Sequence, residues 1–502
     1  MPPVEAAATP EPSLYAQLAE RIGALIASGA LKRGDRLPSV RDMAQQQGVS
    51  MATVLQAYRT LEDQRLVEAR PRSGYFVTLR RTPVATAGRG SPPAPQPLTE
   101  MTQPPNQSQP VELPDIVDRV MAAASDPSMV SFGAACPGGD MFPTDRARRA
   151  ITRAAQRHHH ALSRYPFAPG TPALREAIAR RALAIGCQLD PARILVTNGC
   201  VESISLCLRA VTQPGDTVAL ESPTYWGFLQ ILQSLHLRAL EIPTDPRTGI
   251  SLPALELALD TQPVKAVLVV PTLSNPLGAT MPLAARRQLL QLLEARDVPL
   301  IEDALINDLA GRAEGRRAVK SFDTRGQVMI CSSFSKTLAP GLRLGWVEAG
   351  RWSAQVQRLK STLSGGHTEL VEIAMTDLLN QPGHEPALRQ LRALLASRLD
   401  QARRLIAASF PAGTRITAPE GGFTLWLELP RAVDAVALFH AALSEQICLA
   451  PGPMFSSTGR YRHCIRLGLG RAWGTAEQQA LQRVGQLARQ MADAAGAAPK
   501  AA

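Results

Sequence analysis

The segment CSSFSKTLAPGLRLGW, residues 331–346, sets a lysine on a Ser-rich loop and follows it with Pro-Gly and an arginine. A single lysine is ordinarily a solvated amine, so Lys336 gains interest only from its company. A hydroxyl such as that of Ser333 and a planar guanidinium such as that of Arg343 both suit the oxygens of an anion. A second set of such groups lies near the N-terminus. Ser39 with Asp42 forms an S-x-x-D box that caps one short helix, and Ser50 caps the next. Capped helix starts and Ser/Thr hydroxyls suit phosphates, and arginine can also read guanine. Metal chemistry is not expected. The seven cysteines (136, 187, 200, 207, 331, 448 and 464) form no C-x-x-C pair and read as buried thiols in a reducing compartment. His158, His159 and His160 read as a solvated run near a helix end.

These groups must be held by more than one folding unit. At 502 residues with 45% hydrophobic residues, the chain can bury two or three cores. Its net charge of +11 fits an anionic partner such as DNA. Residues 1–81 carry roughly eleven Lys/Arg against eight Asp/Glu, so most of the excess lies beyond them. Residues 82–113, crowded with Pro, Gln, Ser and Thr and nearly uncharged, predict an extended linker between domains at 12–81 and 114–490. Ahead of it, Leu14, Leu18, Ile22, Leu25 and Ile26 mark one helical face that Gly29 ends. Two short helices follow, joined at Gly48, the second with Val54, Ala57, Tyr58 and Leu61 inward. LVEAR and YFVTL around PRSG then predict a two-stranded wing. Beyond the linker, RILVT, TVALE, AVLVVP, PLIED and VMICSS alternate with amphipathic helices, the pattern of an α/β domain with a largely parallel sheet. GFTLWLEL and HCIRLGL suggest a smaller α+β lobe. Neither a leader-type N-terminus nor an apolar stretch of bilayer length is present, and the expected location is the cytoplasm.

The run from LYAQLAERI to PRSGYFV resembles the winged helix-turn-helix domain of GntR-family repressors over nearly all of residues 12–79. The resemblance implies binding to double-stranded operator DNA, with Arg41, Ser50, Thr53, Gln56 and the wing residues Arg72, Ser73 and Gly74 facing it. Two positions depart from the family: Met51 stands where many relatives have arginine, and Arg65 where a glycine is usual.

The SSFSKTLAPGLRLGW segment resembles the cofactor loop of fold-type I aminotransferases, and the family's other parts follow in order over about residues 130–490. The resemblance implies pyridoxal 5'-phosphate (PLP) held as a Schiff base on Lys336. Ser333, Arg343 and the backbone of Gly199, Cys200 and Val201 would take its phosphate. Tyr225 would stack on the pyridine ring, Asn275 would reach its 3'-oxygen, and Asp303 would keep its nitrogen protonated. Tyr165 would reach the phosphate of a neighbouring subunit in a head-to-tail homodimer, and Arg466 would clamp a ligand carboxylate. The family's usual tyrosine, two or three residues after the aspartate, is replaced here by Leu305 and Ile306.

A winged helix, a Pro-rich linker and a fold-type I domain in one chain together resemble the MocR subfamily of GntR regulators. The expectation is a transcriptional regulator responding to PLP, an amino-group ligand, or both. The alternative is a working aminotransferase that carries a DNA-binding domain; Leu305 and Ile306 predict weak turnover.

Overall fold

The computed structural model describes residues 37–47, 49–63, 66–70, 74–77, 107–112 and 115–497, together with Tyr15, Leu18, Ala19 and Ile22. The chain divides into two compact units, residues 1–90 and 91–502.

In the first unit, helix α1 (Val40–Gln47) is followed by α2 (Met51–Asp63) and by strands β1 (Val67–Arg70) and β2 (Gly74–Val77). Both predicted caps are made. Ser39 Oγ accepts from the Asp42 N–H at 3.2 Å and donates to the Asp42 carboxylate at 2.7 Å. Ser50 Oγ accepts from the Thr53 N–H at 3.1 Å. Val54, Ala57, Tyr58 and Leu61 are buried as expected and share one core with Leu18, Ile22, Val67 and Val77. Tyr58 adds a polar tie, its hydroxyl donating to the Pro38 carbonyl at 2.8 Å. β1 and β2 pair antiparallel, Val67 opposite Val77 and Arg70 opposite Gly74. The expectations for Leu14, Leu25, Ile26, Gly29, Gly48, Arg65, Arg72 and Ser73 lie outside the described residues.

The second unit is built on strands β3 (Gln109–Pro110), β4 (Ile194–Thr197), β5 (Thr217–Ser222), β6 (Arg238–Asp245), β7 (Gly249–Ile250), β8 (Val264–Val269), β9 (Leu300–Asp303), β10 (Val328–Ser333) and β11 (Gly345–Glu348). They lie in the order β3-β6-β5-β8-β9-β10-β11-β4, with β7 appended to β6. The five from β6 to β10 run parallel. β3, β11 and β4 each pair antiparallel to their neighbours. The central strands β5, β9 and β10 are buried along their whole length, and β8 all but Lys265, as a sheet covered by helices on both faces requires. Because β5, β8, β9 and β10 are parallel, their carboxyl ends open on one edge. Asp303 ends β9 and Ser333 ends β10, while Tyr225 and Asn275 lie just beyond β5 and β8. That edge is where open α/β sheets bind ligands.

One boundary differs from the sequence reading. Residues 107–112, assigned by composition to the linker of 82–113, pack into this unit instead. β3 pairs with β6 through Gln109–Ala239 and Pro110–Arg238. Ser108 is buried, its Oγ accepting from Arg238 Nε and Thr217 Oγ1, each at 3.0 Å. A proline is tolerated there because β3 is an edge strand. Residues 82–106 lie outside the described residues.

The smaller lobe carries a sheet of β12 (Arg415–Ile416), β13 (Thr424–Glu428), β14 (Ala450–Pro451) and β15 (Cys464–Gly468), ordered β12-β13-β15-β14 and antiparallel throughout. Trp426, Phe455, Tyr461 and Leu467 fill its core.

Candidate functional site

A cavity of about 340 Å³ opens at the carboxyl ends of the parallel strands. Cys200, Val201, Tyr225, Asn275, Asp303, Ser333, Lys336 and Arg343 line it, so eight residues spread over more than a hundred positions converge. Leu305 and Ile306 stand in its wall where a tyrosine was the family expectation.

Lys336 reaches the cavity from the loop after β10, its Nζ donating to the Ala135 carbonyl at 2.8 Å. Burial holds its ammonium below the ordinary lysine range; Cys136 and Asp303 oppose that effect, while Arg466 and Arg343 add to it. A lysine that gives up its proton readily is a better nucleophile toward an aldehyde. Asp303 is also buried, and burial pushes its carboxyl up to about 6. Its Oδ1 accepts from the Leu305 N–H at 2.8 Å and from the Cys200 thiol at 3.5 Å. Those contacts and Lys336 draw the shift back without cancelling it. A cationic group in the cavity would repay the ionised carboxylate for its lost water.

The anion cradle lies at the start of helix α3 (Cys200–Val211). Gly199 has a φ of +98°, and a Cβ there would stand 2.8 Å from Arg343 Nη2. The end of the arginine therefore lies over the helix start, and the positive φ there is one that glycine adopts without strain. Gly345 makes the complementary approach: a Cβ on it would fall 2.6 Å from the Gly199 carbonyl carbon. Ser333 is buried at the same end and caps the loop, its Oγ accepting from the Ser335 N–H at 3.3 Å. A cation, free helix N–H groups and a hydroxyl make this end of the cavity fit a phosphate.

Tyr225 packs against Trp226 and Phe228 with ring centroids 5.1 and 5.3 Å away, and burial raises its phenol to about 12. Asn275 has a buried side-chain Oδ1 without a partner. Arg466, from β15, is fully buried beside the cavity rather than in its wall. One Nη2 hydrogen bond goes to the Gly133 carbonyl, whereas Nε and Nη1 are buried and unpartnered. Burial lowers its pKa to about 10, with Tyr225 opposing. The Phe455 ring lies 5.4 Å from its Cζ. An arginine with idle donors fits a carboxylate, and the unpartnered Asn275 fits a polar ring substituent. The residue set therefore accommodates a phosphorylated pyridine aldehyde.

Tyr165 does not join this constellation. It is 87% exposed, beside Leu162 at 74% and Phe167 at 79%. Of the winged-unit positions, Arg41 on α1, Ser50 at the cap of α2 and Gln56 midway along α2 are exposed and Thr53 is half-buried, with Met51 exposed beside Ser50. Gly74 opens β2, whereas Arg72 and Ser73 lie outside the described residues. Ala135 and Phe423 also line the cavity, Cys136 lies half-buried in its wall rather than as the buried thiol expected, and the Cys200 thiol meets Asp303; no local signal marks any of these. Only the fold brings these together. Among the described residues no His, Cys, Asp and Glu cluster as metal ligands, and no helix is long and apolar enough to cross a membrane.

Residues 132–472 match the family model "Aminotransferase class I and II", and residues 14–77 match "Bacterial regulatory proteins, gntR family". The chain is 37% identical to the HTH-type transcriptional regulator YjiR of Escherichia coli K12, over 94% of this chain and 98% of that one. It is 28% identical to the probable rhizopine catabolism regulatory protein MocR of Rhizobium meliloti, over 87% and 86%. Among solved structures it is similar to LysN, an alpha-aminoadipate aminotransferase of Thermus thermophilus complexed with N-(5'-phosphopyridoxyl)-L-leucine. There the TM-score is 0.68 at 25% identity, covering 75% of this chain and 98% of that one. The protein belongs to the HTH-type transcriptional regulators of the MocR kind, in which a gntR-type DNA-binding domain precedes an aminotransferase class I and II domain.

Proposed function

We infer that this regulator binds PLP in the large unit and that an amino-acid ligand held there alters its affinity for operator DNA. The observation that carries the reading is the convergence of Lys336, Asp303, Asn275 and Arg343 on one cavity, with Arg466 idle beside it, in a chain that also bears a winged helix. The domain boundaries follow as 12–81 and 114–490, the latter extended back to residue 107 by β3. The cytoplasm, where DNA and amino acids meet, is the expected location.

When bound, the cofactor supplies an aldehyde for amines and an electron-withdrawing ring. Lys336 offers the amine that would hold it, kept reactive by burial. Arg343, Ser333 and the N–H groups of Gly199, Cys200 and Val201 would take the phosphate. Tyr225 would cover the ring face, and Asn275 would meet the 3'-oxygen. Asp303 would hold a proton at the ring nitrogen. Arg466 would fix a ligand carboxylate through a two-point contact, which sets orientation as well as affinity. Leu305 and Ile306 close the wall with apolar groups and offer no hydroxyl. The exposed Tyr165, Leu162 and Phe167 support a homodimer in which Tyr165 reaches the neighbouring phosphate site.

Lys336→Ala should abolish the covalent adduct that borohydride fixes in the wild type, together with absorbance at the visible edge. A retained adduct, mapped by mass spectrometry, would reassign the lysine. For DNA, fragments upstream of the protein's own gene and its neighbours should bind with strong salt dependence. Arg41→Ala and Gln56→Ala on the exposed faces of α1 and α2 should weaken that binding, by about 1–3 kcal/mol where a base contact is lost. Anisotropy titrations that cannot tell these variants from wild type would move the DNA surface elsewhere. A second reading, an aminotransferase with a DNA-binding arm, is favoured by the complete Lys336–Asp303–Asn275 set. Rapid keto-acid formation with operator affinity indifferent to amino acids would promote it.

A further inference from the structure

Glu241, in the middle of β6, is 3% exposed. Burying a carboxylate is costly unless hydrogen bonds replace its water. Here four donors do so. The Ser222 hydroxyl of neighbouring β5 donates to Oε2 at 2.6 Å. The other three come from the loop between β14 and β15: the Ser457 N–H at 2.6 Å, its hydroxyl at 2.8 Å, and the Ser456 hydroxyl at 3.0 Å, all to Oε1. Because the single proton of Ser222 is committed to Glu241, the Tyr461 hydroxyl must be the donor in its 2.9 Å bond to Ser222 Oγ. One residue of the large sheet thus holds the middle of a loop from the smaller lobe directly, and its Tyr461 end through Ser222.

The same loop carries Phe455, whose ring lies 5.4 Å from the Arg466 guanidinium carbon. Phe455 is fixed from two further sides. Its carbonyl accepts from the Thr224 N–H at 2.9 Å, next to Tyr225, and its ring meets Trp426 edge-on at 5.5 Å. The loop closes tightly on itself, since a Cβ on Gly452 would fall 2.0 Å from the Tyr461 carbonyl oxygen. A displacement at Ser456 and Ser457 would therefore pass directly to Phe455, and it would strand a buried carboxylate.

We propose that Glu241 is a positioning residue for ligand recognition: it latches the 452–461 loop onto the large sheet and so holds Phe455 against Arg466, keeping the idle Nε and Nη1 aimed at an incoming carboxylate. This rests on the reading of Arg466 as the carboxylate clamp. The ligand class it serves is an α-amino acid, and the latch sets affinity for the carboxylate, not for the cofactor.

The test uses the full chain loaded with PLP, in wild type, Glu241→Gln and the milder Ser457→Ala. The amide of the first variant keeps the shape of Glu241 but cannot accept all four donors. Hydrogen exchange of residues 452–463 reads the latch with no ligand present. Titration with L-alanine, L-leucine and L-glutamate, followed by the cofactor's absorbance, reads the clamp. Exchange in the loop should rise at least tenfold in Glu241→Gln and less in Ser457→Ala, with amino-acid half-saturation rising about tenfold or more and cofactor content unchanged. Unchanged exchange in a folded Glu241→Gln overturns the latch whatever the ligands do. Faster exchange with unchanged half-saturation overturns the link to Arg466. A wild type that answers no amino acid overturns the clamp reading itself and removes the ligand role from the proposal, while the exchange arm still decides the latch. If Glu241→Gln does not fold, Ser457→Ala carries the same comparison: equal exchange and equal half-saturation to wild type would overturn the proposal.

Discussion

Arg466→Ala is expected to abolish the effect of amino acids on operator affinity while leaving cofactor loading and basal DNA binding close to wild type. Arg466 Nε and Nη1 are buried and unpartnered, and burial already lowers the guanidinium to about 10. Such a group gains most from an anion that enters the site, because the desolvation has been met in folding. Truncating one member of a buried, hydrogen-bonded charge pair costs about 2–5 kcal/mol in binding, roughly 30-fold or more in Kd. Arg466→Lys should recover little, since an ammonium cannot make the planar two-point contact. A ligand shifts the DNA-binding equilibrium only through its different affinity for the two states, so the loss must be visible from both sides. Operator DNA should change amino-acid affinity in the wild type and leave the variant indifferent. Titrating both proteins in both directions checks this. An undiminished amino-acid response in Arg466→Ala would show that the carboxylate is held elsewhere.

Much of this site was legible because its signals are local. The Ser39–Asp42 and Ser50 caps depend on residues three apart, and both form as read. The buried strands announced themselves as short apolar runs, and the loop around Lys336 carries its neighbours within ten positions. What gathers the parts is long-range, and there the sequence is silent. Nothing near Arg466 points to the Gly133 carbonyl, and nothing near Asp303 points to the Cys200 thiol. The roles assigned to those residues came from family resemblance, whereas burial, idle donors and shifted pKa values came only with the fold.

Composition misled at one place for a physical reason. Residues 107–112 share the polar, Pro-containing character of the linker, yet they close an open sheet edge. There a two-residue pairing and the hydrogen bonds of Ser108 outweigh poor strand propensity. Ser456 and Ser457 likewise carry no local signal of their contact. In a glycine-containing loop, serines look like ordinary turn residues until Glu241 is brought up against them.

Asp303→Asn should make the cofactor-free protein more stable near neutral pH and the loaded protein less so. Burial raises the Asp303 pKa from 3.8 to about 6. A folded-state pKa above the unfolded one means that the unfolded chain releases its proton first as pH rises between those values. Stability therefore falls with rising pH across that window, and the full cost of the buried charge is present by pH 7. About two pKa units correspond to at most ~3 kcal/mol, so the asparagine should return about 1–3 kcal/mol at pH 7 and almost nothing at pH 3. With PLP bound the sign reverses. A protonated ring nitrogen beside Asp303 would offset the cost of its charge, and asparagine cannot supply the matching negative charge. Melting curves of the two proteins, with and without PLP, should cross: the variant ahead when empty at pH 7, the wild type ahead when loaded. Equal melting of the empty proteins across pH 3–7 would mean that Asp303 is not under electrostatic strain. An asparagine variant that gains as much stability from PLP as the wild type does would remove Asp303 from the cofactor's ring nitrogen.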